Sequence, residues 1–173
     1  KDLAQRYPES VDPATDAKWI YTGPFDLTDE VSDVPLNAGK LVLSPTRTYA
    51  PLISKILPKW RHRIKGMVHC SGGAQTKVLH FIEDIHVIKD DLFPTPPLFR
   101  MIQEASGTEW SEMYTVFNMG HRMEIYTDSD AAEAIVAMAK EAGVGAKIIG
   151  RCEPWQGKRV TVSGEHGTFE YGD

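Results

Sequence analysis

A histidine, a serine and two glycines lie together at the point where a predicted strand ends. Residues 64–68 have the apolar character of a buried strand, and a helix is predicted from about Ala74 to Phe81. Between them stand His69, Cys70, Ser71, Gly72 and Gly73. N–H groups at a helix start lack partners and lie at the positive end of the helix dipole, and glycine lets a ligand approach the backbone. The pattern predicts an anion site, with phosphate as the favoured anion; a turn without function is the alternative interpretation.

The two cysteines, Cys70 and Cys152, are too few for a disulfide framework and lack the spacing of a metal site. A nucleophilic pair of His69 with Cys70 is one interpretation. Because adjacent strand residues point to opposite faces, the two side chains should diverge. The sequence therefore favours Cys70 as a small buried residue and both cysteines as reduced thiols.

Composition limits the class of protein. The 173 residues suffice for one domain with a core, and the hydrophobic fraction of 42% is ordinary for a globular protein. A net charge of −5 argues against nucleic-acid binding, and no apolar run is long enough to cross a membrane. The two cysteines, read as reduced thiols, predict a cytoplasmic protein. The chain begins with Lys1 instead of Met, which predicts a piece of a longer protein.

The order of predicted elements indicates an α/β fold. Residues 1–40 read as an irregular excursion with one short edge strand at residues 19–21, and residues 41–173 as an α/β domain. Strands are predicted at 64–70, 85–88, 123–126, 146–150, 159–163 and 168–171. Helices are predicted at 50–57, ended by Pro58, from Pro97 to Gly107, after a Thr108 cap, and at 130–142. Alternating strands and helices predict a three-layer α-β-α sandwich on one mixed sheet.

Three stretches in order resemble one enzyme family. They are PTRTY (residues 45–49), GMVHCSGG (66–73) and the run from Pro96 to Met123 that contains EMY and FNMG. Together with IIGRCEP near the end, they resemble aminoimidazole ribonucleotide synthetase, also called phosphoribosylformylglycinamidine cyclo-ligase, an enzyme of purine biosynthesis. The resemblance extends over residues 41–154 and implies the C-terminal domain of such an enzyme, with its α/β sandwich fold.

The resemblance also implies an activity. A ligase of this family uses ATP and Mg²⁺ to close the imidazole ring of formylglycinamidine ribonucleotide, and its N-terminal domain, outside this chain, would hold most of both. That domain would be the chain's main partner, the whole enzyme would be a homodimer, and neither nucleic acid nor a membrane would take part. The chain alone would be inactive.

Particular residues match the family's motifs. His69 would be catalytic, polarising the formyl oxygen or transferring a proton. Binding of the substrate or its phosphate would fall to Thr46, Arg47, Ser71, Gly72, Gly73, Asn118 and Gly120. The sequence departs from the family's pattern at Ser71, where threonine is usual, at Ala74, where a third glycine is usual, over residues 75–81 and at residues 121–122. Replacement cations for the changed site are Lys77, His80, His121 and Arg122. No metal-ligand set is expected.

Two alternatives remain open at this point. One is a sister enzyme of the same superfamily, such as formylglycinamidine ribonucleotide synthetase, selenophosphate synthetase or thiamine phosphate kinase. The other is an anion-binding module that keeps the fold without the catalysis.

Overall fold

The computed structural model describes residues 6–16, 18, 20 and 23–173. The edge strand predicted at residues 19–21 depends on Trp19 and Tyr21, which lie outside the described residues. The chain divides into two compact units. The first combines the residues up to Thr46 with Pro97–Gly107, and the second combines Arg47–Pro96 with Thr108–Asp173.

The elements follow the chain in this order: α1 (Ala38–Val42), α2 (Ala50–Trp60), β1 (Gly66–His69), β2 (Ile85–Lys89), α3 (Pro97–Ser106), α4 (Trp110–Val116), β3 (Met123–Tyr126), α5 (Ser129–Glu141), β4 (Gly150–Pro154), β5 (Lys158–Gly164) and β6 (Gly167–Gly172). Two 3₁₀ helices, Pro8–Ser10 and Ala74–His80, are also present.

The first unit contains α1 and α3, which pack against each other. The side chain of Asn37 caps α1 by accepting a hydrogen bond from the backbone N–H of Lys40, at 2.9 Å. We predicted a division of the chain at residue 40. In the structure the units meet in sequence after Thr46, and α3 groups with the N-terminal residues.

The second unit holds six strands in two sheets. Strands β1 and β3 form an antiparallel pair from Gly66↔Tyr126 to His69↔Met123. The other sheet has the order β4-β2-β5-β6, with β2 parallel to β5 and the remaining pairs antiparallel. The α/β class is confirmed, but the prediction of one mixed sheet is wrong. No backbone ladder joins β2 to β3; the side chain of Lys89 in β2 reaches Glu124 in β3 instead, at 2.5 Å.

The two sheets pack against different helices. Helices α2 and α5 cover the two-stranded sheet through Leu52, Ile56, Ile135 and Ala139, with Ile64, Met67 and Ile125 beside them. The four-stranded sheet buries Val160 and Val162. Tyr114 of α4 lies against Phe169 of β6, with ring centroids 5.7 Å apart. Spacing of four residues along α2 and α5 puts the buried side chains on one helix face.

Several element boundaries differ from the predictions, and β1 begins at Gly66 instead of Ile64. Helix α2 continues past Pro58 to Trp60, because proline removes one donor while Arg61 N–H still bonds Leu57 O at 3.0 Å. Strand β4 begins at Gly150 rather than Ala146, since its pairing with β2 starts at Lys89↔Gly150. Helix α4 begins after Glu109 instead of Thr108, without a side-chain cap. The predictions of β3, α5 and the β5–β6 hairpin are confirmed to within a residue or two.

Candidate functional site

The residues from His69 to Gly73, which we call the glycine turn, leave β1 as a tight, exposed turn. Ser71 N–H bonds His69 O at 2.8 Å, and Ala74 N–H bonds Ser71 O at 2.8 Å. Gly73 has φ 88°, a left-handed conformation that glycine adopts without strain. His69, Ser71 and Gly72 are exposed. No acceptor for the N–H groups of Gly72 and Gly73 is found among residues 23–173, so both can receive a ligand.

A second turn, Asn118 to Gly120, lies beside the first and precedes β3. The Asn118 carboxamide shapes its own turn by accepting a hydrogen bond from Gly120 N–H at 2.9 Å. Its NH₂ group donates to Cys70 O at 3.3 Å. Cys70 N–H also bonds Arg122 O, at 2.9 Å. The structure therefore brings Asn118 and Gly120 together with the glycine turn, as the end of β1 meets the start of β3.

The helix after the glycine turn is shorter and tighter than we predicted. It is a seven-residue 3₁₀ helix, Ala74–His80, and it follows the left-handed Gly73. Aligned peptide dipoles in so short an element attract an anion weakly. The positive charge at the turn comes from Lys77, whose Nζ donates to Ser71 Oγ at 2.6 Å. Of the replacement cations, Lys77 is the one whose side chain donates a hydrogen bond to the glycine turn in the described part of the chain.

His121 does not supply a positive charge, which corrects the prediction that it could. Its side chain is 4% exposed, and its Nε2 accepts a hydrogen bond from Phe93 N–H at 3.1 Å. Burial, with the charges of Lys89 and Lys147, lowers the pKa of His121 to about 4. The ring is therefore neutral at physiological pH.

The remaining predicted residues lie apart from these hydrogen bonds. Arg47 is exposed, and its Nη1 donates to Gly143 O, just beyond α5, at 2.8 Å. Thr46 is exposed at the end of the first unit. Arg122 is half-buried and lines a cavity in the second unit, and His80 is exposed beside the ring of Phe81.

The structure separates His69 from Cys70, as predicted. His69 is exposed, whereas Cys70 is 2% exposed with its thiol toward Val68 O. Burial, together with the nearby Glu124 carboxylate, raises the pKa of Cys70 to about 12. A thiol that stays protonated is a poor nucleophile, so Cys70 is a structural residue.

Sequence reasoning missed a buried ion pair beneath the two turns. Lys89 is 1% exposed and Glu124 is 7% exposed. Neither residue is among the site residues predicted from the sequence. The alternation of β2 could have indicated that Lys89 is buried, because Lys89 follows Val87 by two positions and so lies on the same buried face. The partner, 35 residues away, could not be identified from spacing.

A cavity of about 490 Å³ adjoins this pair within the second unit. Its walls include apolar side chains of α2 and α5, among them Leu52, Ile56 and Ile135, together with residues of β2, β3 and 144–152. Lys89 and Glu124 also line it.

In the described ranges, no group of three or more His, Cys, Asp or Glu residues is arranged to hold a metal ion. None of the helices in those ranges has both the length and the apolar character to span a membrane.

Comparison with known proteins gives a consistent result. Residues 27–163 match the family model described as "AIR synthase related protein, C-terminal domain". The phosphoribosylformylglycinamidine cyclo-ligase of Methanopyrus kandleri is 30% identical over 148 residues, covering 86% of this chain and 42% of that protein. The enzyme of the same name from Caldicellulosiruptor saccharolyticus is 32% identical, covering 80% of this chain and 41% of that protein. The chain thus spans about two fifths of the length of these relatives.

A solved structure shares the fold. The hydrogenase maturation protein HypE of E. coli aligns with a TM-score of 0.52 and 22% sequence identity. The alignment covers 73% of this chain and 39% of that one. At this identity the likeness supports the fold alone.

Proposed function

The chain belongs to the family of AIR synthase related proteins, in their C-terminal domain, and from this we propose that the protein containing it closes the imidazole ring of formylglycinamidine ribonucleotide. Relatives at 30–32% identity carry the name of that cyclo-ligase. Because the chain spans about two fifths of them, the activity is proposed for the full-length protein. It would be an ATP-dependent ligase of purine biosynthesis that acts in the cytoplasm. The chain alone would not convert the ribonucleotide.

The observation that carries this proposal is the donor set of the glycine turn. Gly72 and Gly73 present backbone N–H groups, Ser71 a hydroxyl and Lys77 an ammonium, and the last two are 2.6 Å apart. Backbone N–H groups beside a cation form a concave anion-binding site. We assign the substrate's phosphate to this turn.

The proposed reaction gives His69 a position beside that phosphate. ATP supplies the phosphoryl group that activates the formyl oxygen, the amidine nitrogen closes the ring, and phosphate leaves. His69 is the last residue of β1 and its ring is exposed at the turn. An imidazole there is suited to polarise the formyl oxygen or to move a proton. Asn118 holds the backbone of the turn through Cys70 O.

Magnesium would bind mainly outside this chain. Magnesium in nucleotide-dependent enzymes usually binds through one or two carboxylates together with the phosphates of the nucleotide. Because the family resemblance assigns the nucleotide mainly to the chain's own N-terminal domain, we assign the ion to that domain too, within a homodimer.

The test uses the full-length protein with formylglycinamidine ribonucleotide and ATP, measuring formation of aminoimidazole ribonucleotide and release of phosphate. Ser71→Asp places a carboxylate where the phosphate binds, and we expect the KM for the ribonucleotide to rise by about a hundredfold or more. The matched variant Ser71→Asn has the same shape without the charge and should raise KM by about tenfold at most.

Two results would count against the proposal. Equal KM values for the Asp and Asn variants would show that the substrate's phosphate does not bind at the glycine turn. A well-folded wild-type protein that does not convert the ribonucleotide would favour a sister enzyme or a non-catalytic module.

A further inference from the structure

The ammonium of Lys89 is enclosed by acceptors in the interior of the second unit. Its Nζ donates to Gln75 O at 2.7 Å, to Gln75 Oε1 at 3.2 Å and to Glu124 Oε1 at 2.5 Å. A lysine has three N–H donors, so each has a partner. The second oxygen of Glu124 accepts the hydroxyl hydrogen of Tyr126. No buried polar side-chain atom among the described residues is left without a hydrogen bond.

Stability alone does not account for this network. Moving two charges out of water is unfavourable, and well-packed apolar side chains at the same positions are often as stabilising or more so. A buried pair of this kind is better explained by what its geometry fixes, and the partners of Gln75 indicate what that is.

Gln75 connects the ion pair to both turns. It is 0% exposed and follows the glycine turn by two residues. Its Nε2 donates to Asn118 O at 2.8 Å, and Asn118 Nδ2 in turn donates to Cys70 O. The path therefore runs from the ion pair through Gln75 and Asn118 to the backbone of the glycine turn. Lys89 and Glu124 also link the four-stranded and two-stranded sheets, between which no backbone ladder runs.

We infer that Lys89 and Glu124 are positioning residues, which hold the glycine turn and the Asn118 turn in the relative orientation that a phosphorylated ligand requires. Neither side chain touches the ligand. Both act through Gln75, whose main-chain and side-chain oxygens are oriented by the ammonium. This inference rests on the proposed phosphate binding at the glycine turn.

The first test separates positioning from stability in the full-length protein. The double variant Lys89→Met/Glu124→Leu replaces the pair by apolar side chains of similar length, so that no lone charge is left buried. Its thermal midpoint should fall less than that of Lys89→Met, although the oxygens of Gln75 and the hydroxyl of Tyr126 each lose a partner. We expect its KM for the ribonucleotide to rise about tenfold, with kcat changed by less than about twofold, because ground-state binding is what is lost. A KM equal to that of the wild type in this variant would overturn the inference.

The second test leaves the ion pair in place. Gln75→Met keeps the volume of the side chain but removes the link to Asn118, and we expect a rise in KM of about tenfold here too. If the double variant fails to fold, this variant decides, and an unchanged KM overturns the inference. The control is Asp90→Asn, which breaks an exposed pair with Arg151 next to Lys89 and should leave KM unchanged.

A phosphate titration distinguishes failure of the inference from failure of the proposed function. Inorganic phosphate is added to the wild type and to Gln75→Met while the amide NMR signals of Gly72 and Gly73 are followed. Weaker binding by the variant supports the inference even if the wild type does not convert the ribonucleotide. Absence of binding to the wild-type turn, or equal binding by both proteins, overturns it.

Discussion

The two sheets of the second unit are held together in different ways. In the four-stranded sheet, β2 pairs along its whole length with β4 on one side and β5 on the other. The two-stranded sheet has four residue pairs, and both turns of the candidate site lie at its end. Side chains such as Asn118 and Gln75 hold those turns. The comparison shows that backbone pairing fixes the larger sheet, whereas a few side chains fix the site.

The largest effect should come from breaking the buried link between the sheets. Lys89→Met leaves the Glu124 carboxylate buried without its cation, so we expect the free energy of unfolding to fall by about 3–5 kcal/mol. Asp90→Asn, which breaks the exposed ion pair of Asp90 with Arg151, should change the free energy of unfolding little. Urea unfolding of both variants measures the difference. Similar losses in the two would mean that Lys89 is not part of a buried link.

A second effect depends on pH. Because the pKa of His121 is about 4 in the folded protein and about 6.5 in an unfolded chain, the unfolded chain binds the extra proton between these values. The free energy of unfolding is therefore highest above pH 6.5. It falls as the pH decreases toward 4, by up to about 3 kcal/mol from this residue.

His121→Gln is the matched variant for this prediction, since its amide oxygen can accept the Phe93 N–H without titrating. We expect its unfolding free energy to depend less on pH between 6.5 and 4 than that of the wild type. Parallel pH curves, measured by chemical unfolding at several pH values, would contradict the assignment.

The smallest effect sharpens the comparison within the glycine turn itself. Gly73 is left-handed, and a Cβ there would lie 3.3 Å from Lys77 Cβ, so Gly73→Ala should lower stability by about 1–2 kcal/mol. Gly72→Ala meets open space and should leave stability nearly unchanged. Both should weaken phosphate binding, because each adds a methyl group where the anion approaches. A Gly72→Ala protein with full phosphate affinity would exclude that N–H from the site.

Much of the fold follows from local sequence patterns. The alternation in MEIY places β3, the alanine-rich run before Gly143 places α5, and the two short runs around Gly164 place the β5–β6 hairpin. These elements depend on periodicity and turn residues that lie within them. The division into two sheets could not be predicted in this way, because pairing between β2 and β3 depends on residues distant in sequence.

The candidate site was predictable only in part. The glycine turn and FNMG are recognisable as motifs, and the structure places Ser71, Gly72, Gly73, Asn118 and Gly120 together. His121 was predicted for its charge, but burial neutralises it. Arg47 was predicted from the PTRTY motif, and its exposed side chain donates to Gly143 O. The environment that decides a charged residue's role is assembled from several elements, and one stretch of sequence does not contain it.

The buried pair also has a consequence for how this domain can change over evolutionary time. A lysine at position 89 without its glutamate, or Glu124 without its lysine, leaves a lone charge in the interior. Descendants that lose one partner are therefore at a disadvantage until the other is replaced as well. Among homologous domains, the residues at these two positions should be inherited and exchanged as a pair.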